Sequence, residues 1–254
     1  MRQLILTGLP GIPEITTGAP LASILIEAVD RTGLRFEPGD VLVIAQKIIS
    51  KAEGRSVSLA DVVPGARALE LAGVVEKDPR LVELMLRESS EVLRAKRNVL
   101  IVEHRLGFVM ASAGIDQSNV PREGGEPSVL LLPEDPDASA RRLRDLLREA
   151  YAVDVGIIIN DSFGRAWRNG VTGVAIGIAG IPGIVDLRGL PDRDARPLEV
   201  TIVAAADELA AAASLVMGQR DEGVPAVLAR GFPYGRREGT TQELLRPRGE
   251  DLFR

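Results

Sequence analysis

The sequence contains no cysteine and a single histidine, His104. The absence of cysteine excludes disulfides, thiolate nucleophiles, zinc–sulfur sites and iron–sulfur clusters. One histidine excludes a histidine-rich metal site, and a Ser-His-Asp triad would have to use His104. Its segment reads as a strand pair, in which we expect an ordinary structural histidine. Chemistry must therefore rest on carboxylates, amides, hydroxyls, Lys and Arg, a set that suits magnesium or manganese and phosphate.

Other scarcities narrow the class of protein. Aromatic residues make up only 3% of the 254 residues, so a core must be built from Val, Ile, Leu and Ala. No apolar run is long enough to cross a bilayer, and no signal segment opens the chain. A net charge of −5 offers no basic field for nucleic acid. We therefore expect a cytoplasmic globular protein that binds neither nucleic acid nor membranes.

The order of apolar patterns mixes helices with strands and shows no internal repeat. It predicts an α/β (mixed α+β) fold, in one domain or two small ones. The most distinct strand is 154–160, and helices are predicted over 78–93 and over 135–152, the latter capped by Asp137 or Ser139. The tail after Phe232 is expected to be loosely held. Neither a P-loop nor a G-x-G-x-x-G fingerprint occurs, so a bound nucleotide would need a different set of loops.

Polar residues follow the predicted strand in "IIINDSFGRAWRNG", at 157–170. Asp161 and Ser162 stand where that strand should end, and open α/β sheets gather their ligands at such ends. Arg165 and Arg168 could meet phosphate or carboxylate through their planar guanidinium groups. The alternative is a hairpin turn with a solvated charged tip and one packed Trp.

A second polar loop, "SAGIDQSN", places Asp116 three residues before Asn119. One carboxylate could bind a cation there, and one amide could bind a ligand ring or phosphate. The alternative is an Asx-type turn, which both residue types favour.

Lysine is scarce in this arginine-rich chain, which has 31 Lys plus Arg but only four Lys. Two of the four, Lys47 and Lys51, lie within "AQKIISKAEGR" at the end of a predicted strand. A compact ammonium there could bind a phosphate oxygen, although chance clustering stays open. Earlier in the chain, Gly11 of "LPGIP" could let the backbone approach a ligand.

Taken together, these loops resemble a known family. The segments "LTGLPGIPEI", "GDVLVIAQKIISKAEGR", "SAGIDQSN", "NDSFGRAWRNG" and "SLVMGQRDEGVPAVLARG" occur in the order found in the coenzyme F-420-0:gamma-glutamyl ligases (CofE family). The similarity runs from residue 4 to about 232. It implies a CofE-like fold of mixed sheets flanked by helices, in a single ligase domain over 1–254 or two intertwined subdomains. No fused flavin-reductase-like domain is expected.

The resemblance implies a site, residue by residue. Lys51, Arg165 and Arg168 would stabilise charge that develops during phosphoryl transfer. Gln219 is the weakest of the transferred metal ligands, because a neutral amide binds cations only modestly. The implied metal ligands are Asp116, Asp161, Ser162 and Gln219. The implied GTP contacts are Leu9, Pro10, Gly11, Ile12, Gln46, Lys51, Asn119, Met217, Gly218 and Gly223.

The family's reaction is the GTP-dependent addition of L-glutamate to the deazaflavin coenzyme F-420-0 or a dehydro variant. The resemblance implies an acyl-phosphate intermediate, release of GDP and phosphate, and further gamma-linked glutamates as an option. It also implies Mg²⁺ or Mn²⁺, room for a monovalent cation such as K⁺, and a homodimer. Two alternatives use the same oxygen-rich site: a metal-dependent phosphotransferase or nucleotide hydrolase acting on another small acid, and a non-catalytic nucleotide-binding protein.

Overall fold

The structure is a computed structural model that describes residues 3–117 and 127–251. The strands in chain order are β1 Ile5–Gly8, β2 Val41–Ala45, β3 Ser56–Ser58, β4 Ser89–Lys96, β5 Val99–His104, β6 Val109–Ala111, β7 Ser128–Leu130, β8 Gly156–Arg165, β9 Arg168–Ala179, β10 Val185–Asp186, β11 Ile202–Val203 and β12 Ala226–Arg230. The α-helices are α1 Leu21–Arg31, α2 Gln46–Ala52, α3 Ala66–Val75, α4 Pro79–Arg87, α5 Pro136–Tyr151 and α6 Ala205–Met217. This confirms the predicted mixture of helices and strands.

A five-stranded mixed sheet forms the centre of the molecule, in the order β1-β12-β2-β8-β9. Strands β2 and β8 are parallel, and the other neighbours are antiparallel. Successive side chains of a strand point to opposite faces. Accordingly, Ile157 and Ile159 pack with residues of α1 and α5, whereas Ile158 packs with residues of α6. Burial on both faces explains why this strand is an uninterrupted apolar run rather than an alternating one.

A second hydrophobic cluster lies around the three-stranded sheet β4-β5-β6. Helices α3 and α4 supply its apolar side chains, and Leu100 and Val102 of β5 are fully buried in it. Strand β3 follows α2, which packs against the main sheet, and pairs with β7. This pair connects the main sheet with the second hydrophobic cluster. The choice between one domain and two intertwined subdomains stays a prediction.

The structure corrects the predicted helix over 78–93. Helix α4 begins at Pro79 with Asp78 as its cap and ends at Arg87. The chain then turns into β4, which pairs antiparallel with β5. Within the residues described, no helix is long and apolar enough to span a bilayer.

The predicted cap of α5 and the predicted loose tail are both wrong. The cap is Asp135, whose side chain accepts from the amide of Ala138 at 2.9 Å. Asp137 instead accepts from the amide of Ile178 on one oxygen and from the amide of Thr241 on the other. The segment after Phe232 is held in place by this carboxylate of α5, and its Leu244 and Leu245 pack against buried residues of the core.

Candidate active site

The parallel strands β2 and β8 bring the polar segments of the sequence to one edge of the sheet. Their register pairs Ala45, the last residue of β2, with Asn160 of β8. The prediction that β8 ends before Asp161 is wrong, because β8 continues to Arg165 in its hairpin with β9, and only its pairing with β2 stops here. The carboxyl ends of such strands are the usual place for ligands in open α/β sheets. A cleft of about 330 Å³ opens there, within the size range of small-molecule sites. The sequence-predicted residues that line it are Ile12, Gln46, Lys51, Asp161, Ser162, Met217, Gly218, Gln219 and Gly223.

A β-bulge shapes this edge. Ile159 pairs with Gly177 but Asn160 pairs with Ala175, so β9 holds one extra residue at that point. Bulges bend a strand and redirect the side chains beside them. Helix α6 packs so closely on the bulged strand that a Cβ at Gly173 would lie 2.1 Å from the Ser214 hydroxyl. Glycine at this position therefore lets α6 bring its C-terminal end to the cleft.

The two aspartates that are predicted as metal ligands interact, although they are distant in the sequence. The pKa of Asp161 is raised to about 7, chiefly because burial penalises the ionised form. The backbone amide of Ser162 and the charge of Lys47 oppose this shift, and the charge of Asp116 adds to it. A partly buried carboxylate next to a second carboxylate is stabilised by a bound cation.

Ser162 and Gln219, the neutral members of the predicted metal site, are also in contact. The Ser162 hydroxyl donates to Oε1 of Gln219 at 3.1 Å. Among the described residues no three carboxylates or histidines converge. A divalent cation would therefore depend on the two aspartates and on neutral oxygens. Carboxylate, hydroxyl and amide oxygens are ligands that Mg²⁺, Mn²⁺ and Ca²⁺ accept, so the donor set fits a hard cation.

Both lysines of the "AQKIISKAEGR" segment line the cleft, and each forms an ion pair with a carboxylate. The ammonium of Lys47 lies 2.6 Å from Oδ2 of Asp116, and that of Lys51 lies 2.5 Å from Oε1 of Glu14. The site prediction named Lys51 and left out Lys47. The scarcity of lysine, which marked both residues equally, could have identified Lys47 as well.

Asn160 is a further cleft residue that sequence reasoning missed. Its amide nitrogen donates to Ser214 at 3.1 Å and to the sulfur of Met217 at 3.6 Å. It is buried, and its Oδ1 has no hydrogen-bond partner within the described part of the chain. These contacts tie β8 to the C-terminal end of α6, directly behind Ser162.

Other predicted residues lie elsewhere in the described chain. Arg165 and Arg168 face each other at the exposed tip of the β8–β9 hairpin and are not among the residues that line the cleft described here. Trp167 at this tip is 86% exposed, so the packed tryptophan of the hairpin alternative is wrong. Asn119 lies outside the described residues.

The first predicted GTP turn reaches the cleft only through its last member, Ile12. Leu9 is fully buried, and the carbonyls of Pro10 and Gly11 accept from Arg31. Gly11 adopts a φ of 70°, a conformation that glycine tolerates without strain.

His104 has the contacts of a structural histidine. It is fully buried on β5, in the region of the second hydrophobic cluster. Its Nδ1 accepts from the amide of Leu106 at 3.0 Å, and its Nε2 lies 3.5 Å from Glu88. These contacts leave it a packing role away from the cleft.

The fold and the cleft together define a class of protein. It is a mixed α/β protein whose parallel strand ends gather carboxylates and lysines, an arrangement suited to a metal ion and a phosphorylated ligand.

Comparison with known proteins shows the family. A profile of the family described as F420-0:Gamma-glutamyl ligase matches residues 11–231. The coenzyme F420:L-glutamate ligase of Methanothermobacter thermautotrophicus is 48% identical over 251 residues, 98% of this chain and 98% of the relative. The enzymes of the same name from Methanopyrus kandleri and Archaeoglobus fulgidus are 46% identical over 245 residues and 43% identical over 244 residues. These alignments cover 95% and 96% of this chain, and 94% of each relative.

The chain belongs to the F420-0:gamma-glutamyl ligase family, and it is a ligase. The resemblance drawn from the motifs is therefore confirmed.

Proposed function

We propose that this ligase adds L-glutamate to coenzyme F420-0 at the expense of GTP, forming an amide bond and releasing GDP and phosphate. The observation that carries the proposal is the similarity along nearly the whole chain to coenzyme F420:L-glutamate ligases. The convergence of the predicted polar residues on one cleft supports it.

The proposed reaction has two transfers. The γ-phosphoryl group passes from GTP to the acceptor carboxylate, which converts a carboxylate oxygen into part of a leaving group. The neutral amine of L-glutamate then attacks the acyl carbon, the C–N bond forms, the C–O bond to phosphate breaks, and the amine proton leaves with the phosphate or to water. Lys51 and Lys47 would bind phosphate oxygens and stabilise the charge that develops on them, because both ammonium groups face the cleft.

We assign the divalent cation to Asp116, Asp161, Ser162 and Gln219. When bound, Mg²⁺ or Mn²⁺ neutralises the nucleotide phosphates and aligns the in-line displacement. Asp116 would exchange its ion pair with Lys47 for the cation, which releases that ammonium toward phosphate. A monovalent cation such as K⁺ stays a prediction.

We assign the nucleotide to the cleft-lining members of the predicted set, Ile12, Gln46, Lys51, Met217, Gly218 and Gly223. Contacts with Leu9, Pro10, Gly11 and Asn119 stay predictions. Catalytic roles for Arg165 and Arg168 stay predictions, as does the homodimer. The exposed hairpin tip with Trp167 and Val171 is a surface that a second copy of the chain could bury. Light scattering of wild type and Trp167→Ser would test the homodimer.

The decisive experiment is incubation of the purified protein with F420-0, GTP, L-glutamate and Mn²⁺, followed by mass analysis of the products. We expect a glutamylated product, with steady-state GDP release that requires both the acceptor and glutamate, and with GTP used more efficiently than ATP. Sustained GDP release without glutamate would overturn the proposal in favour of a phosphotransferase or hydrolase. Nucleotide binding without turnover would favour a non-catalytic protein.

A further inference from the structure

A ligase that joins an amino acid to a carboxylate must bind the amino group as an ammonium, which loses a proton before the neutral amine attacks. The α-amino group of L-glutamate is protonated at neutral pH, so a carboxylate is its natural partner in a binding site. The described cleft is lined by three carboxylates, Glu14, Asp161 and Glu222, and Asp116 reaches it through Lys47. The two aspartates are assigned to the cation, which leaves the two glutamates.

The carboxylate of Glu222 already has a hydrogen-bond partner within its own loop. Its side chain accepts from the amide of Arg220 at 2.8 Å, and that hydrogen bond is the main reason why its pKa is lowered. Its carboxyl group also covers Gly218, where a Cβ would lie 2.1 Å from the carboxyl carbon. Glu222 therefore shapes the turn after α6.

Glu14 differs in both respects. It lies in the segment between β1 and α1, and its carboxylate reaches across to Lys51 of α2 at 2.5 Å. The Glu14 side chain is 70% exposed, whereas that of Lys51 is 12% exposed. The lysine is thus fixed in the wall, and the glutamate closes over it from the open side of the cleft.

We infer that Glu14 binds the α-ammonium group of L-glutamate once the nucleotide is in place. The inference rests on the proposed function, in which a phosphate oxygen of GTP takes over the ammonium of Lys51. Glu14 then loses its cation while it remains next to the transferred phosphoryl group. An ammonium bound to Glu14 lies beside the acyl phosphate, and the neutral amine attacks the acyl carbon once one proton has passed to water. The ion pair between Lys51 and Glu14 is therefore exchanged for two ion pairs, one with each substrate.

The test compares Glu14→Gln with Glu134→Gln, a matched control. Glu134 is 77% exposed and pairs with Arg55, which is 16% exposed, but it does not line the described cleft. A hydrogen bond to a charged group contributes enough that we expect the KM for L-glutamate to rise roughly 10- to 100-fold in Glu14→Gln. The KM for GTP should stay unchanged or fall, because Lys51 is released from its partner. Glu14→Asp, which keeps the charge, should recover part of the loss.

Hydroxylamine provides a second readout, because it traps acyl phosphates as hydroxamates and is uncharged at neutral pH. It needs no carboxylate for binding, so Glu14→Gln should form hydroxamate at close to the wild-type rate while glutamate capture fails. An unchanged KM for L-glutamate in Glu14→Gln, or equal loss of both nucleophiles, would overturn the role of Glu14. Failure of the wild type to glutamylate F420-0 would instead overturn the proposed function. Thermal melting of each variant confirms folding.

Discussion

Two clusters of charged side chains in this molecule have opposite character. In the first, Glu88 lies among Arg55, Arg105 and His104, with both guanidinium groups 3.1 Å from its Oε2. Burial alone would raise the pKa of Glu88, but the nearby His104 side chain and the charges of Arg105 and Arg55 lower it to about 2. In the second, burial raises the pKa of Asp161 to about 7. Neighbouring cations thus outweigh the cost of burying the charge of Glu88, whereas the charge of Asp161 remains costly.

The residue types differ in the same way. The Glu88 cluster uses arginines, whose several donors hold a carboxylate in a fixed geometry. The cleft uses lysines, and each has a carboxylate partner that a substrate or cation could replace. A compensated cluster stabilises the fold, whereas an undercompensated cluster retains affinity for a ligand. Substitutions in the two clusters should therefore separate stability from activity.

The largest expected effect is on turnover at Asp161. Asp161→Asn should lower kcat/KM about 10³-fold and raise the metal concentration needed for residual activity, because an amide cannot supply the charge for a hard cation. Asp116→Asn should behave alike. The control is Asp207→Asn, because burial also raises the pKa of Asp207 but its carboxylate accepts from Ala175 away from the cleft. A folded Asp161→Asn enzyme with wild-type metal dependence would refute the metal assignment.

At Glu88 the loss should appear in stability instead. Glu88→Gln leaves Arg55 and Arg105 without their shared charge, and we expect the free energy of unfolding to fall by about 2–4 kcal/mol, near the value for a broken buried ion pair. Urea denaturation measures it. Glu70→Gln, which removes an exposed ion pair with Arg67, should change stability by less than about 0.5 kcal/mol. Equal losses of stability in Glu88→Gln and Glu70→Gln would show that the Glu88 cluster does not stabilise the fold more than an exposed ion pair does.

The pH dependence of the Glu88 contribution follows from the direction of its shift. The pKa of Glu88 lies below its usual value of 4.5, so the folded state prefers the ionised form. Its contribution is complete above about pH 4.5 and is lost as the pH falls toward 2. The stability difference between wild type and Glu88→Gln should therefore shrink over this acidic range.

The contribution of Asp161 to stability depends on pH in the opposite direction. The raised pKa means that the folded state disfavours the charge, and this cost grows as the pH rises from about 4 to about 7. In metal-free buffer at pH 8, Asp161→Asn should therefore be more stable than wild type by about 1–3 kcal/mol, and the gain should disappear near pH 4. Thermal melts at the two pH values measure it. Destabilisation at pH 8 would show that Asp161 supports the fold.

Much of the cleft could be predicted from local sequence because its residues lie next to the ends of two buried apolar runs. Gln46 and Lys51 come just after β2, and Asp161 and Ser162 come near the end of the buried part of β8. The convergence of these segments then follows from the parallel pairing of the two strands. The ligand roles of the single residues came from the resemblance, and the geometry is compatible with them.

What could not be predicted depends on contacts between distant segments. The bulge opposite Asn160 lies in β9, a strand that is distant from β2 in the sequence, so no local pattern in β8 predicts it. Strand β4 follows α4 with hardly a break in the apolar pattern, so only its pairing with β5 identifies it as a strand. Glu14 lies in a turn-rich loop, and no local pattern indicates that its side chain reaches α2.

The smallest expected effect concerns the lysines. Lys51→Arg keeps the positive charge, but it replaces a compact ammonium, 12% exposed in the wall, with a larger planar group that also disturbs the ion pair with Glu14. We expect kcat/KM to fall about tenfold, equivalent to about 1.4 kcal/mol of transition-state stabilisation. Lys77→Arg and Lys96→Arg change the two lysines outside the described cleft, and each should keep kcat/KM within about twofold of the wild-type value. Steady-state kinetics on the three variants provide the comparison. If all three variants retain wild-type rates, catalysis does not depend on a compact ammonium at Lys51, and the clustering of lysines in this segment is unrelated to activity.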